Sequence, residues 1–157
     1  MKLLAMLWAS ALVLTAAPVT QSPEVRALPE APGKPAFVKM CVDCHALALV
    51  TRMRANRAEW SKIIDKMADN GAAGTDAEFE AALSYVSSQF GRPIRINTAT
   101  AAELQAAFLL APEAIDAIVK YRTAHGKFAS WDDLLKVPGL DAAALEEQRK
   151  NVVFESE

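Results

Sequence analysis

Apolar positions along this chain fall into blocks whose spacing changes with position. Leu3 to Leu14 is nearly unbroken in its apolar character, preceded by Lys2 and followed by the small residues Thr15, Ala16 and Ala17. From Pro18 to Pro35, prolines at 18, 23, 29, 32 and 35 interrupt any period. Proline this dense predicts an extended, semi-rigid linker over 18–35. Regular structure is expected from Ala36, with Phe37, Val38 and Met40 leading into a first helix. Trp60, Ile63, Ile64 and Met67 then recur three or four residues apart, which is one face of a second helix. Asn56 with Glu59 makes a capping-box signal at its start, and Asn70-Gly71 a stop at its end. Thr75 with Glu78 opens a third helix carrying Phe79, Leu83, Val86 and Phe90, ended by Gly91.

Gly91-Arg92-Pro93 reads as a domain boundary, because a residue before proline is pushed out of the helical region. Beyond it the rhythm is short helices and tight turns. Thr100 and Glu103 cap a helix through Leu104 and Phe108, and Pro112 suits the first turn of the next, which runs past Ile115, Ile118 and Tyr121 to His125-Gly126. Ser130 caps a short helix with Leu134 and Leu135, Pro138-Gly139 breaks it, and Asp141 starts the last one. The pattern predicts an all-α chain in two small domains, 36–91 and 92–157.

Composition changes this picture in two places. The order of Lys2, an apolar run and small residues is that of a secretory signal peptide over 1–17. The run is about a dozen residues, short of the roughly 20 that span a bilayer, so a periplasmic protein without a stable membrane span is expected. The net charge of −2 gives no sign of a nucleic-acid protein. Both cysteines lie in one motif, which leaves none for a structural disulfide elsewhere.

That motif is Cys41-Val42-Asp43-Cys44-His45, the C-x-x-C-H spacing of covalent haem attachment. Cys41 and Cys44 can each form a thioether to a haem vinyl group, and His45 is placed to serve as an iron ligand. A redox dithiol does not need the histidine, and a zinc site lacks a third cysteine. On spacing, Met67 is the candidate for the second axial position; its other reading is a core methionine. Met40 and Met53 lie too near the motif, and His125 would require the second domain to cap the haem. Arg52, Arg54 and Arg57 are candidates to pair with a haem propionate.

Met40 to Gly91 resembles the short monohaem c-type cytochrome domains associated with bacterial periplasmic dehydrogenases. The resemblance rests on Cys41, Cys44, His45, Arg57, Trp60 with Met67 seven residues later, Gly71-Ala72 and Tyr85. It implies haem c as cofactor, with His45 and Met67 as iron ligands. It further implies outer-sphere electron transfer to a redox partner protein of the periplasmic dehydrogenase kind. No residues form a recognisable general acid and base set, so no catalytic residue and no enzyme is expected.

Asn97 to Phe154 resembles the helix-hairpin-helix domain of bacterial competence DNA receptors. Matching positions are Asn97, Thr98, Glu103-Leu104, Tyr121-Arg122, Gly126-Lys127-Phe128, Asp133-Leu134-Leu135 and Val137-Pro138-Gly139-Leu140. That family offers Gly-apolar-Gly at each hairpin, so that backbone N–H groups approach a phosphate. Here the first hairpin reads Leu109-Leu110-Ala111, and Asp141 replaces the second glycine of the other. From Arg92 onward about eight bases face about ten acids. A docking module therefore ranks above DNA binding on sequence. The alternatives are a DNA-binding protein with a structural or redox-sensing haem, and a haem enzyme or gas sensor with an open iron face. His125 reads as a helix-end residue, and Tyr121 and Trp131 as core.

Overall fold

The computed structural model describes residues 22–108 and 110–155. The expected signal peptide at 1–17, the start of the linker and Leu109 lie outside the described residues.

Each capping signal read from sequence starts a helix. The elements are α1 (Pro23–Arg26), α2 (Lys34–Cys41), α3 (Ala48–Thr51), α4 (Arg57–Asp69) and α5 (Asp76–Gln89), then α6 (Ala101–Ala107), α7 (Pro112–His125), α8 (Trp131–Leu134) and α9 (Ala142–Glu146). Reciprocal capping boxes close the N-termini of α4 (Asn56/Glu59), α5 (Thr75/Glu78) and α6 (Thr100/Glu103). Each gives the first-turn N–H groups the partners that helix geometry denies them.

Two expectations fail. The linker over 18–35 is not an extended tether across its described part. Pro23 sits in the first turn of α1, where its missing N–H costs nothing, and α1 buries Val25. Leu28 joins the same core, the Tyr85 hydroxyl donates to the Pro29 carbonyl at 2.9 Å, and Lys34 Nζ donates to the Leu28 carbonyl at 2.9 Å. Apolar residues between the prolines therefore outweigh the prolines' preference for extended chain. The second failure is local. A parallel pair, β1 (Ile94–Arg95) with β2 (Val152–Val153), sets Ile94 opposite Val152. The chain remains mostly helical around this small sheet.

Two cores result. Val25, Phe37, Met40, Trp60, Tyr85 and Phe90 belong to the first, with Tyr85 fully buried. Ile96, Leu104, Ile115, Ile118, Leu134 and Leu145 belong to the second. The second is tied by Asn97, whose Nδ2 donates to the carbonyls of Phe128 (2.9 Å) and Phe154 (2.6 Å) while Oδ1 accepts from Phe128 N (2.8 Å). Arg122 donates to the carbonyls of Ile96 (2.7 Å) and Ala99 (2.6 Å).

The halves meet through polar contacts. Buried Arg57 reaches Glu80 within its own half and Glu147 of the other at 3.1 Å. Arg92 pairs with Glu59 at 3.0 Å, and Asn151 Nδ2 donates to the carbonyls of Ser87 (3.0 Å) and Ser88 (3.2 Å). A Cβ on Gly91 would overlap both Asn151 and the Ser87 carbonyl, so the boundary glycine is also a point of close approach.

Candidate functional site

Two features carry chemistry: the pair of helical hairpins in the second half, and an apolar cavity beside the cysteine motif in the first.

In the first hairpin, α6 runs through residues 108–111 into α7. Buried Leu110 anchors the turn, its carbonyl accepting from Gln105 Nε2 at 3.0 Å. Ala111 is the N-cap of α7 and Pro112 its first residue, so no side chain caps this fourteen-residue helix. In the second hairpin, α8 and α9 are joined through Val137-Pro138-Gly139-Leu140-Asp141. Gly139 supplies the positive φ (79°) that the turn requires. Asp141 accepts from the backbone N–H groups of Ala143 (2.9 Å) and Ala144 (3.3 Å). It thus fills the role of helix cap, at the groups a phosphate would otherwise take.

The acid count of this half overstates its repulsion of a polyanion. Glu103 completes the α6 capping box, which holds its carboxyl below the usual range through backbone and side-chain hydrogen bonds from Thr100. Asp133 is likewise lowered, first by Lys136 at 2.7 Å and then by the Ala129 N–H. Glu147 faces Arg57, and Glu146 faces Arg149 at 3.3 Å. These carboxylates are neutralised or engaged where they stand, a distinction that a sum over the sequence cannot make.

His125 ends α7, is exposed, and packs its ring on Tyr121 at 4.3 Å between centroids; Tyr121 stacks in turn on Phe128 at 5.7 Å. Trp131 is buried beneath the Arg149 guanidinium at 5.3 Å. All three aromatic positions are structural, in line with their sequence reading.

In the first half, Cys41, His45 and Met67 line one cavity of about 190 Å³, whose walls include Phe37, Trp60 and Ile64. Cys41 is the last residue of α2 and half-buried, whereas Cys44 is exposed in the turn that follows. The two cysteines therefore do not share one continuous helix. Burial pushes the Cys41 thiol up to about 11, and the neighbouring Cys44 adds to the rise. Met40 is buried away from this wall, its sulfur against Gly74. Met53 does line the cavity, at its mouth with Leu49, and both are exposed. Leu49 escaped the sequence reading, since an isolated apolar residue in a short helix carries no periodic signal, and Met53 entered it only as a methionine set aside for lying too near the motif. Of the arginines expected near a propionate, Arg57 is committed to Glu80 and Glu147, and Arg54 donates to the carbonyls of Thr51 (2.9 Å) and Met53 (2.6 Å).

The paired hairpins around a shared core define a helix-hairpin-helix domain in the second half, and residues 89–153 match the helix-hairpin-helix motif family. An uncharacterized protein of Haemophilus influenzae is 38% identical over 81 residues, which is 51% of this chain and 69% of that protein. The chain belongs to the same family as that protein. ComE operon protein 1 of Bacillus subtilis is 34% identical over 62 residues, 40% of this chain and 30% of its own length. Endonuclease/exonuclease/phosphatase family domain-containing protein 1 of Rattus norvegicus is 40% identical over 62 residues, 40% of this chain but 11% of its own. The chain thus spans less than a third of the last two. No solved structure matches at comparable stringency.

These findings correct the reading of the first half as a dehydrogenase-associated cytochrome domain, and with it the electron-transfer function and redox partner. The family matched is a helix-hairpin-helix family, and the relatives include a ComE operon protein. Among the described residues no three His, Cys, Asp or Glu side chains gather into a metal-binding cluster. The ranking of a docking module above DNA binding is reversed by the same matches.

Proposed function

We propose that this is a DNA-binding protein of the helix-hairpin-helix class, acting through its second half and not as an enzyme. The family match across both hairpins carries this reading. Two features support it. The α7 N-terminus is free of any side-chain cap, and the dipole of a helix favours an anion at its N-terminus. Exposed Lys136 stands within the second hairpin, between α8 and its turn, paired with Asp133. Contacts of this kind are to phosphate, so the expected binding is indifferent to sequence and sensitive to salt. An exported location, expected from Lys2 and the Leu3–Leu14 run, is part of the proposal; no described helix is long and apolar enough to cross a membrane.

The test is anisotropy of a labelled DNA duplex with the full chain at rising salt. Affinity should fall linearly on a log–log plot, and Lys136→Glu should lower the slope by about one. Absence of binding at the lowest salt overturns the proposal.

A further inference from the structure

The two halves do not close completely where they meet. Next to the Arg92–Glu59 pair lies a cavity of about 320 Å³, walled by Asn56 of the first half and by Arg92, Arg95, Thr98, Glu103 and Ala107 of the second. Glu103 and Ala107 stand four residues apart on one face of α6, and Ala107 is the last helical residue before the turn of the first hairpin. Arg92 and Arg95 belong to the segment that leads into α6 at its opposite end. The cavity therefore follows α6 from the first hairpin turn to the two arginines. At about 1.5 Å per residue that path is about 10 Å, or roughly three nucleotide steps of about 3.4 Å along one strand.

The lining carries two guanidiniums and one carboxylate. Both arginines are exposed. The carboxylate, Glu103, is engaged by the Thr100 N–H at 2.7 Å and by the Thr100 hydroxyl at 2.9 Å. Thr98 is exposed and adds a hydroxyl. Asn56 caps α4 through its amide oxygen and brings an amide nitrogen as a further donor. A guanidinium matches two phosphate oxygens with parallel N–H bonds, which no single ammonium does. The present partner of Arg92 is Glu59, and the two side chains are 56% and 41% exposed. An ion pair so well hydrated contributes little, so Arg92 can exchange its carboxylate for a phosphate with small loss.

We infer that this cavity takes the sugar-phosphate backbone of DNA beyond the first hairpin, with Arg92 and Arg95 as phosphate contacts and Glu59 as an internal competitor for Arg92. The inference rests on the DNA-binding reading and extends it to the junction of the halves. Asn56 and Glu59 lie outside residues 89–153, the part that matches the helix-hairpin-helix family. The first half thereby takes part in binding: Asn56 supplies part of the wall, and Glu59 holds Arg92 when no phosphate is present.

The test is anisotropy of a labelled duplex against salt, on the full chain and its variants, each checked for an unchanged far-ultraviolet spectrum and unfolding midpoint. Arg92→Gln with Arg95→Gln should weaken binding and lower the log–log slope by about two. Glu59→Gln, whose amide can still accept from the Asn56 N–H in the α4 capping box, should tighten binding by removing the competitor. Arg92→Gln and Glu59→Gln break the same ion pair, so a purely structural role for that pair would shift affinity in the same direction in both. Weaker binding by Glu59→Gln therefore overturns the inference. A wild-type slope unmoved by the double arginine substitution overturns it as well and leaves the hairpin reading standing, with Lys136→Glu as the reference for one lost phosphate contact. A wild type that binds no DNA at the lowest salt removes both readings together.

Discussion

Gly33 stands where α2 leaves the proline-rich segment and meets α5. Its φ of 85° is the left-handed region, and a Cβ there would overlap the Ala81 carbonyl oxygen. Both the strain and the overlap act against any side chain. Gly33→Ala should cost about 2–4 kcal/mol, read from the urea midpoint of the full chain. Asn97 is a second such position. Its amide joins the start of the second half to Phe128 and Phe154, leaving three backbone groups without partners when it is removed. Asn97→Ala should cost about 2–3 kcal/mol, whereas substitution at exposed Lys120 should be nearly neutral. Asn97 was visible in the sequence as a family position. Its three bonds were not, because their partners lie 31 and 57 residues away.

At the scale of elements, the capping boxes give a pH dependence with a definite sign. Glu78 is held below its ordinary 4.5 first by the Lys39 ammonium and then by the Thr75 N–H. Glu103 is held below 4.5 by the Thr100 N–H and hydroxyl. A carboxyl with a depressed folded-state value stabilises fully above its unfolded value and loses that contribution as pH falls through the folded one. Unfolding midpoints should therefore be flat down to about pH 5 and decline below it. Glu103→Gln should reduce the steepness of that decline, since the amide still accepts from Thr100 but no longer titrates. Equal slopes for the two proteins would remove the capping box from the explanation. Thr100→Ala, which deletes the cap itself, should cost about 1 kcal/mol at neutral pH.

For the whole molecule, α4 is the element through which the halves communicate. It carries Met67 and Trp60 on the cavity side, and Arg57 and Glu59 on the contacts to Glu147 and Arg92. The Trp60 indole donates to the Phe90 carbonyl at 3.3 Å, one residue before the boundary glycine. Arg57 is the least replaceable of these groups, because its charge is buried while its partners Glu80 and Glu147 remain partly in water. Solvent discounts the full value of a buried pair, so Arg57→Ala should cost about 1–3 kcal/mol. It should also split a single thermal transition into two. Arg57→Lys should not restore the wild-type transition, since a single ammonium cannot span two carboxylates and the Ser84 hydroxyl as the guanidinium does. A single, merely shifted transition in both variants would show that the halves are coupled by other contacts.

The sequence by itself determined what local chemistry controls. The starts of α4 to α9 and the stops at Gly71, Gly91 and Gly126 follow from caps, spacing and turn residues within a few positions of each other, and the helix-hairpin-helix character of the second half was legible as a family resemblance. It could not determine how distant segments use their apolar residues. Whether residues 22–35 extend into solvent or pack was decided by Val25 and Leu28 finding the core formed by Phe37 and Tyr85. Whether Ile94 and Val152 pair was decided by the second core bringing the two ends of that half together. Charge followed the same rule. Ten acids against eight bases describe the second half as a sum, but folding sets Glu147 on Arg57, Asp141 on the α9 N–H groups and Asp133 on Lys136. A carboxylate repels a phosphate through the charge it presents at the surface, and only the tertiary structure fixes how much of that charge is already answered.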